Sequence, residues 1–464
     1  MLLLLFAIII RIYNLNHSYD WDEIYSATVS NADYISLISG IRYDPGNPPF
    51  YFILLRIWKS VFGDTESRLR LMSIVFFAIS YAAIVLQTNK KIDTLSQYIL
   101  LIFYSGSSVV YYFSRYVRAY MLVTCIAILV FPLLLQIISN KSKQWYIYLI
   151  AVLLCAIGLY THYSFVIFYG MFFVSTILIH RNSRSSLFHL LFFSLLLLIL
   201  YLPWAYFFVK NQIHPSLWWY KYHFHQLETP WGGPALWLDA FTNQLYGSSV
   251  PIKFQNFLAF IIILFINGII IMTFYKDKLT LWMRHVFLLF LLYFDILLFS
   301  PLHKVFVSIQ YSIYIIPFGL FALIILIHLY MPRYIKWFLL FISIIFTMTT
   351  YKSYAQTIPS DWKTLGAKFN TYSDKGVLLF EPCHLGFGMN YYYHGKLPEY
   401  CFYENPEGMY LSIWNKDFVG RLFIIRYSYL PHKPNSPIHQ LLNLYGETKE
   451  YYGDLEVITL IKKT

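Results

Sequence analysis

Charge is scarce in this sequence: Asp, Glu, Lys and Arg together make up 12% of its 464 residues, against roughly a quarter in an ordinary soluble domain. Cysteine is nearly as rare, with four residues in the chain, too few for a secreted disulfide scaffold. No internal repeat and no low-complexity linker interrupts the chain, so its parts are expected to pack together, and so apolar a composition excludes collagen-like and disordered classes. No basic run interleaved with aromatics lies in a polar region, which removes nucleic acid as the expected partner. Acidic residues are scarcer than basic ones, 23 against 35, and the net charge is +12. What fills the space is apolar: 58% of residues are hydrophobic and 21% aromatic. A bilayer core asks for about 20 mostly apolar residues per helical span, and such stretches follow one another from Met1 to about Tyr351. A basic balance in a membrane protein means loop anchoring plus affinity for lipid headgroups, phosphates or other anions.

Met1 to Ile10 has no basic residue before it and no small-residue cleavage site after it, so it reads as a short first transmembrane helix rather than a signal peptide. Ten further apolar segments are centred near Phe76, Ile102, Leu129, Ala151, Phe173, Leu195, Leu264, Leu291, Phe321 and Ile344, which predicts an all-α polytopic membrane protein of about eleven transmembrane helices. Alternate connections carry Lys90 and Lys91, Lys141 and Lys143, Arg181 and Arg184, Lys276, Lys278 and Arg284, and Arg333 and Lys336; the positive-inside rule makes that side cytoplasmic. The N-terminus is then cytoplasmic in a multi-pass protein of the plasma (inner) membrane. Residues 1–351 form the membrane domain with a first outer loop over 14–70, and residues 352–464 a small extracytoplasmic α/β domain. Short β-rich runs at Val377 to Phe380, Leu422 to Tyr427 and Leu455 to Ile461 alternate there with helix-like stretches near Trp362 and Leu441. Cys125 and Cys155 fall within spans. Cys383 and Cys401 fall in the tail, where an outside location would let them pair.

The first outer loop holds Tyr19-Asp20-Trp21-Asp22-Glu23-Ile24-Tyr25-Ser26, three carboxylates within four positions. A partly desolvated carboxylate at a membrane face serves as a general base or ligates a divalent ion; the plainer alternative is a solvated loop, or an N-cap for a helix begun by Ile24. Asp44-Pro45-Gly46-Asn47-Pro48-Pro49 then runs into apolar Phe50 to Phe62. Asn47 is expected to start a helix along the membrane surface, whose free N–H groups suit a phosphate, or which simply anchors the loop. Arg115 and Arg118 are three apart and are expected to share a helical face, either clamping a phosphate or snorkelling at a helix end. His162 and Tyr163 end the fifth span, as ligand contacts or as structural residues. Asp295 is an intramembrane carboxylate, with Lys304 following it as a partner for it or for a lipid phosphate. Trp218, Trp219, Trp231 and Trp237 crowd the stretch from Lys210 to Gln255 with His214, His223 and His225, a surface for a lipid-linked or sugar substrate or an aromatic belt.

The order of these pieces resembles the integral-membrane glycosyltransferases of the GT-C class, in the family of protein O-mannosyltransferases and bacterial lipid A aminoarabinose transferase. In that family an Asp-Glu pair follows the first span, as Asp22-Glu23 does, and a Pro-Pro motif precedes the second, as Asn47-Pro48-Pro49 does. Tyr112 to Tyr120 resembles a Tyr-Tyr-Ser-Gln-Glu-Ala-Arg-Met-Tyr motif of bacterial members, and Tyr160 to Tyr163 a Tyr-Thr-His-Tyr motif. The resemblance spans about the first 320 residues. It implies a GT-C fold and inverting transfer of a sugar from a polyprenyl-phosphate donor to a lipid, glycan or protein acceptor at the extracytoplasmic face. Asp22 and Glu23 become the catalytic residues, with Asp22 as base. Arg118, Arg115, Asn47, Tyr120 and Lys304 become donor or phosphate contacts, and Asp44, His162 and Tyr163 acceptor or ligand contacts. The family's Gln-Glu is Arg115-Tyr116 here, which loses an acidic ligand and leaves a divalent cation, Mg or Mn, open. Two rivals make different demands: a transporter would need Asp295, and a lipid-linked glycan polymerase or ligase would use the 210–255 stretch.

Overall fold

The computed structural model describes residues 2–40, 47–139, 144–212, 267–273, 279–299, 313–356, 360–373, 376–381, 385–401, 421–428 and 446–461. Asp44, Lys304, Cys383, His214, His223 and His225 lie outside these residues, as do the side chains of Asp295 and Cys401. The chain begins with α1 (Leu2–Ile12), α2 (Trp21–Val29), α3 (Tyr34–Gly40) and α4 (Phe50–Phe62). Then follow α5 (Glu66–Thr88), α6 (Thr94–Gly106), α7 (Ser108–Phe113), α8 (Tyr120–Ile138), α9 (Trp145–Thr161), α10 (Phe165–His180) and α11 (Arg184–Gln212). After a helical stretch at 267–273 come α12 (Leu281–Phe299), α13 (Ile315–Tyr330) and α14 (Arg333–Gln356), the last running beyond Tyr351.

Each apolar segment predicted after the first coincides with a helix, although only part of the one near Leu264 is described. Among the described residues four helices, α5, α8, α11 and α14, are long and apolar enough to cross a membrane, and α1, α9, α10, α12 and α13 are shorter apolar helices. Their burial separates centre from rim. In α8 most of the apolar surface is packed inside the bundle against α5 and α9. In α11 the stripe Phe188, Leu191, Leu195, Leu198 and Leu202 is exposed while Leu190, Phe193, Leu197 and Trp204 are buried, an apolar outer face that only lipid satisfies. Tyr334, Phe338, Phe341 and Met348 do the same on α14, which packs its other side on α6.

One buried cation ties the first helix in. The Arg11 guanidinium donates to Ser114 Oγ at 2.7 Å and to the Ser105 carbonyl at 2.8 Å, and lies 3.6 Å from the Phe77 ring centroid. Its donors thus meet acceptors on α6 and on the turn after α7, which fixes where that turn stands above α1.

The tail combines α15 (Trp362–Asn370) and α16 (Leu385–Tyr392) with a five-stranded sheet. Its strands are β1 (Gly376–Glu381), β2 (Glu399–Cys401), β3 (Arg421–Tyr427), β4 (Gly446–Tyr452) and β5 (Leu455–Ile461), in the order β2-β1-β3-β5-β4. β1 runs parallel to β2 and β3, and β5 antiparallel to β3 and β4. The β-rich runs read from sequence are β1, β3 and β5. Val377 to Phe380 are all buried, which explains a continuous apolar run in place of alternation. The helical stretch near Leu441 lies outside the described residues.

Candidate active site

The acidic motif forms the start of α2. Asp20 is its N-cap: Asp20 Oδ1 accepts from the Trp21 N–H at 2.7 Å, and the Asp20 N–H donates to Glu23 Oε2 at 3.0 Å, a capping box. The plain N-cap reading is therefore realised by Asp20, and the helix begins at Trp21, three residues ahead of the Ile24 start considered from sequence. It accounts for Asp20 and part of Glu23. It leaves Asp22.

The three carboxylates stand in three environments. Glu23 is buried, with Oε1 accepting from Arg70 Nε at 2.9 Å and from the Val117 N–H at 3.0 Å, and Oε2 accepting from Arg70 Nη2 at 2.5 Å. Arg70 also donates to the carbonyls of Leu15 and His17, both at 2.7 Å, and of Ser18 at 3.0 Å. This bidentate pair binds α5, the entry to α2 and the turn before α8 into one body. Asp20 Oδ2 accepts from the hydroxyls of Tyr116 at 2.9 Å and Tyr112 at 3.3 Å. Asp22 Oδ1 accepts from Arg118 Nη2 at 2.8 Å, and its side chain remains 27% exposed against 2% for Glu23. Asp22 is thus partly exposed and held at one oxygen, whereas Glu23 is enclosed and both oxygens of Asp20 are occupied.

Burial, reinforced by the charges of Asp22 and Glu23, pushes the Asp20 carboxyl up to about 6. A raised carboxyl makes the folded state hold its proton longer than the unfolded chain does. Its contribution to stability is therefore most favourable at low pH and falls by about 3 kcal/mol as pH rises from about 4 to above 6. Asn at position 20 can still cap α2 with its amide oxygen, while its Nδ2 stands where Oδ2 was and donates to a tyrosine hydroxyl. Asp20→Asn is expected to flatten this part of the dependence, so thermal midpoints at pH 4.5 and 7.5 should lie closer together than in the unmodified protein. Equal spacing in the two proteins would contradict the assignment.

Arg115 and Arg118 do not share a helical face, because α7 ends at Phe113 and α8 begins at Tyr120. The acidic start of α2 holds the intervening turn open through Tyr116 and the Val117 N–H, and Ser73 Oγ donates to the Tyr116 carbonyl at 2.6 Å. The two guanidiniums separate. Arg118 goes to Asp22 and lies over the Tyr25 ring, 5.4 Å from its centroid. Arg115 donates to the carbonyls of Tyr13 at 2.7 Å and Asn14 at 3.1 Å, where α1 ends, and to the Tyr111 hydroxyl at 2.8 Å. It caps α1 and is not brought to Asp22.

Asn47 is buried, but the helix it was expected to start begins at Phe50, with Pro49 at the N-cap and no side-chain cap hydrogen bond. Proline supplies the helical φ there and has no N–H to satisfy. In the first turn lies a residue that sequence reasoning passed over. Tyr51 is 1% exposed, and its hydroxyl has no hydrogen-bond partner among the described residues. Burial raises its hydroxyl, and the nearby charge of Arg118 acts the other way. The signal available in sequence was only a tyrosine in the first turn after Pro-Pro.

His162 ends α9, buried, with Nδ1 paired to Ser164 Oγ at 2.7 Å and accepting the Ser164 N–H at 3.2 Å. Burial and the charge of Arg118 push its imidazole down to about 3, so it is neutral. The Tyr120 ring packs 5.7 Å from it, and the Tyr163 hydroxyl accepts from Trp204 Nε1 at 3.3 Å. Asp22, Arg118, Tyr51, Tyr120 and His162 thus gather around α2, the start of α4 and the turn before α8. Among the described residues no three His, Cys, Asp or Glu side chains form a metal-ligand group. Among the described residues Asp22 and Glu23 face guanidiniums and Asp20 faces hydroxyls.

A partly exposed carboxylate, Asp22, thus stands against an arginine beside a bundle of apolar helices. Residues 46–207, roughly a third of the chain, match the family described as dolichyl-phosphate-mannose-protein mannosyltransferase. This match bears out the resemblance carried by motif order: the chain is a membrane glycosyltransferase. The matched segment holds Asn47, Arg118 and His162, while Asp22 precedes it and is joined to it by the Arg118 hydrogen bond. No curated protein matches the chain. Among solved structures it is similar to ArnT from Cupriavidus metallidurans in the apo state, with 10% identity, 99% of this chain and 97% of that one covered, and a TM-score of 0.48. The same protein bound to undecaprenyl phosphate gives 11% identity, 100% and 98% coverage and a TM-score of 0.47. The Archaeoglobus fulgidus oligosaccharyltransferase in complex with Zn and sulfate gives 12% identity, 92% and 68% coverage and a TM-score of 0.49.

Proposed function

We propose that this glycosyltransferase moves a sugar from a polyprenyl-phosphate donor to an acceptor hydroxyl on a lipid, glycan or protein, with inversion, and that Asp22 is the general base. The observation that carries the reading is the Asp22–Arg118 pair. Asp22 Oδ1 faces the guanidinium, while Oδ2 accepts no hydrogen bond among the described residues. That oxygen takes the acceptor's proton as the acceptor oxygen attacks the anomeric carbon. The bond from that carbon to the phosphate oxygen breaks, and the electron pair leaves with the phosphate. Arg118 and the first N–H groups of α4, whose N-cap Pro49 makes no side-chain cap hydrogen bond, meet the charge that develops there.

Glu23 acts here as a positioning residue, since its oxygens already hold Arg70, the Asp20 N–H and the Val117 N–H. His162 and Tyr120 back the arginine without charge. In this reading Arg118, rather than a divalent cation, neutralises the leaving group. The acidic motif faces outside the cytoplasm, as the basic loops indicate, and the tail shares that end of the bundle because Tyr392 hydrogen-bonds Tyr19.

The test is incubation of purified protein in lipid with a panel of polyprenyl-phosphate sugars, following donor consumption by mass spectrometry. Consumption of one donor identifies the sugar, and consumption of none would sink the reading. Tyr51 offers a second check. A buried hydroxyl without a partner costs stability until a ligand oxygen accepts from it. Tyr51→Phe is therefore expected to hold or raise the thermal midpoint of the free protein while raising the donor KM by about tenfold. A lowered midpoint with an unchanged KM would remove Tyr51 from the donor site.

A further inference from the structure

The chain from Leu15 to Tyr19 has no regular structure, yet it delivers Asp20 to the start of α2. A shift there moves all three carboxylates together. From the bundle side the segment is held by Arg70 through the carbonyls of Leu15, His17 and Ser18. From the other side it is held by the tail. The Tyr19 N–H donates to the Tyr392 hydroxyl oxygen at 2.9 Å, and the Tyr392 hydroxyl donates to Glu66 Oε1 at 3.2 Å. The Lys363 N–H donates to Ser18 Oγ at 3.3 Å, and Lys363 Nζ lies 3.1 Å from Glu66 Oε1. The Tyr391 ring meets the Tyr19 ring edge-on at 5.6 Å.

Tyr392 therefore uses both functions of one hydroxyl, accepting from the last residue before Asp20 and donating into the first turn of α5. Its own backbone is fixed closely to α15. A Cβ at Gly366 would come within 2.7 Å of Tyr392 Cβ and 2.9 Å of its carbonyl, so only glycine permits this approach, and Asn370 Nδ2 donates to the same carbonyl at 2.9 Å. Rigid contact on the tail side and hydrogen bonds on the loop side make a connection with little slack.

We propose that the tail is a working part of the site: Tyr392 is a positioning residue that holds the entry to α2 and, through the Asp20 cap, sets Asp22 against Arg118. The kinetic consequence rests on the reading of Asp22 as base; the structural consequence does not. Phe at 392 keeps the ring and loses both hydrogen bonds. Leu455→Ala serves as comparison, because it opens a buried site in β5 and loosens the sheet without touching Tyr392.

The experiment measures amide hydrogen exchange and donor kinetics on the full-length protein in lipid. In Tyr392→Phe the amides of Trp21 to Ser26 are expected to exchange about tenfold faster while those of β3 and β5 keep their rates. The kcat is expected to fall about tenfold with the donor KM nearly unchanged. Gly366→Ala, which displaces Tyr392 without altering it, is expected to shift both readouts in the same direction. Unchanged exchange in α2 overturns the proposal. So does a kcat loss that Leu455→Ala reproduces at equal loss of thermal midpoint, since tail stability alone would then explain it. If the unmodified protein consumes no polyprenyl-phosphate sugar, the functional reading fails, and the exchange measurement decides the role of Tyr392 by itself.

Discussion

Asp22→Asn is expected to lower kcat for donor consumption by a factor on the order of 10³, with donor KM and thermal midpoint close to those of the unmodified protein. The size follows from what the substitution removes and what it keeps. An amide oxygen at Oδ1 still accepts from Arg118 Nη2, so the guanidinium stays where it is. Nothing at the other position can take a proton. The loss should therefore fall on the chemical step and leave donor binding alone. Mass-spectrometric donor turnover together with a thermal scan of the same preparation checks both halves. Full turnover in a folded variant would remove Asp22 as the base.

Arg70→Met should instead act on the fold. Removing one member of a buried ion pair leaves Glu23 charged and unpaired, at a cost of about 3–5 kcal/mol. Replacing both members by apolar residues often recovers such a loss, but recovery is not expected here. Arg70 also donates to the carbonyls of Leu15, His17 and Ser18, and these would remain without their donor. Both Arg70→Met and the double variant Glu23→Met/Arg70→Met should therefore show lowered denaturation midpoints in detergent. A double variant as stable as the unmodified protein would mean that those carbonyls find other donors and that the pair is not what holds the entry to α2.

The contrast between these two variants was only half legible in the sequence. Asp22 and Glu23 are adjacent acids in one motif, and nothing in their residue types separates them. Helical geometry does, because successive residues point about 100° apart, so Glu23 turns in toward Arg70, 47 positions away, while Asp22 turns out toward Arg118. Arg115 and Arg118 show the converse. Their spacing suggested a shared face, but the turn between α7 and α8 sends Arg115 to the end of α1 and Arg118 to Asp22. The helix start expected at Asn47 was misplaced, and Tyr51 was passed over, for a local reason: proline placed the N-cap two residues after the best capping residue.

Hydrophobic periodicity and length alone determined that the chain would form a helical membrane bundle with an α/β tail, because apolar runs of span length and buried β-rich runs have few other places to go. Ordered motifs added the glycosyltransferase class. The division of labour among the acids, the pairing of Asp22 with Arg118, the unpartnered Tyr51 hydroxyl and the seating of Tyr392 on Tyr19 were decided only by tertiary structure. The three pairings depend on contacts between residues about 50 to 370 positions apart, where the direction of a side chain, and not its identity, selects the partner.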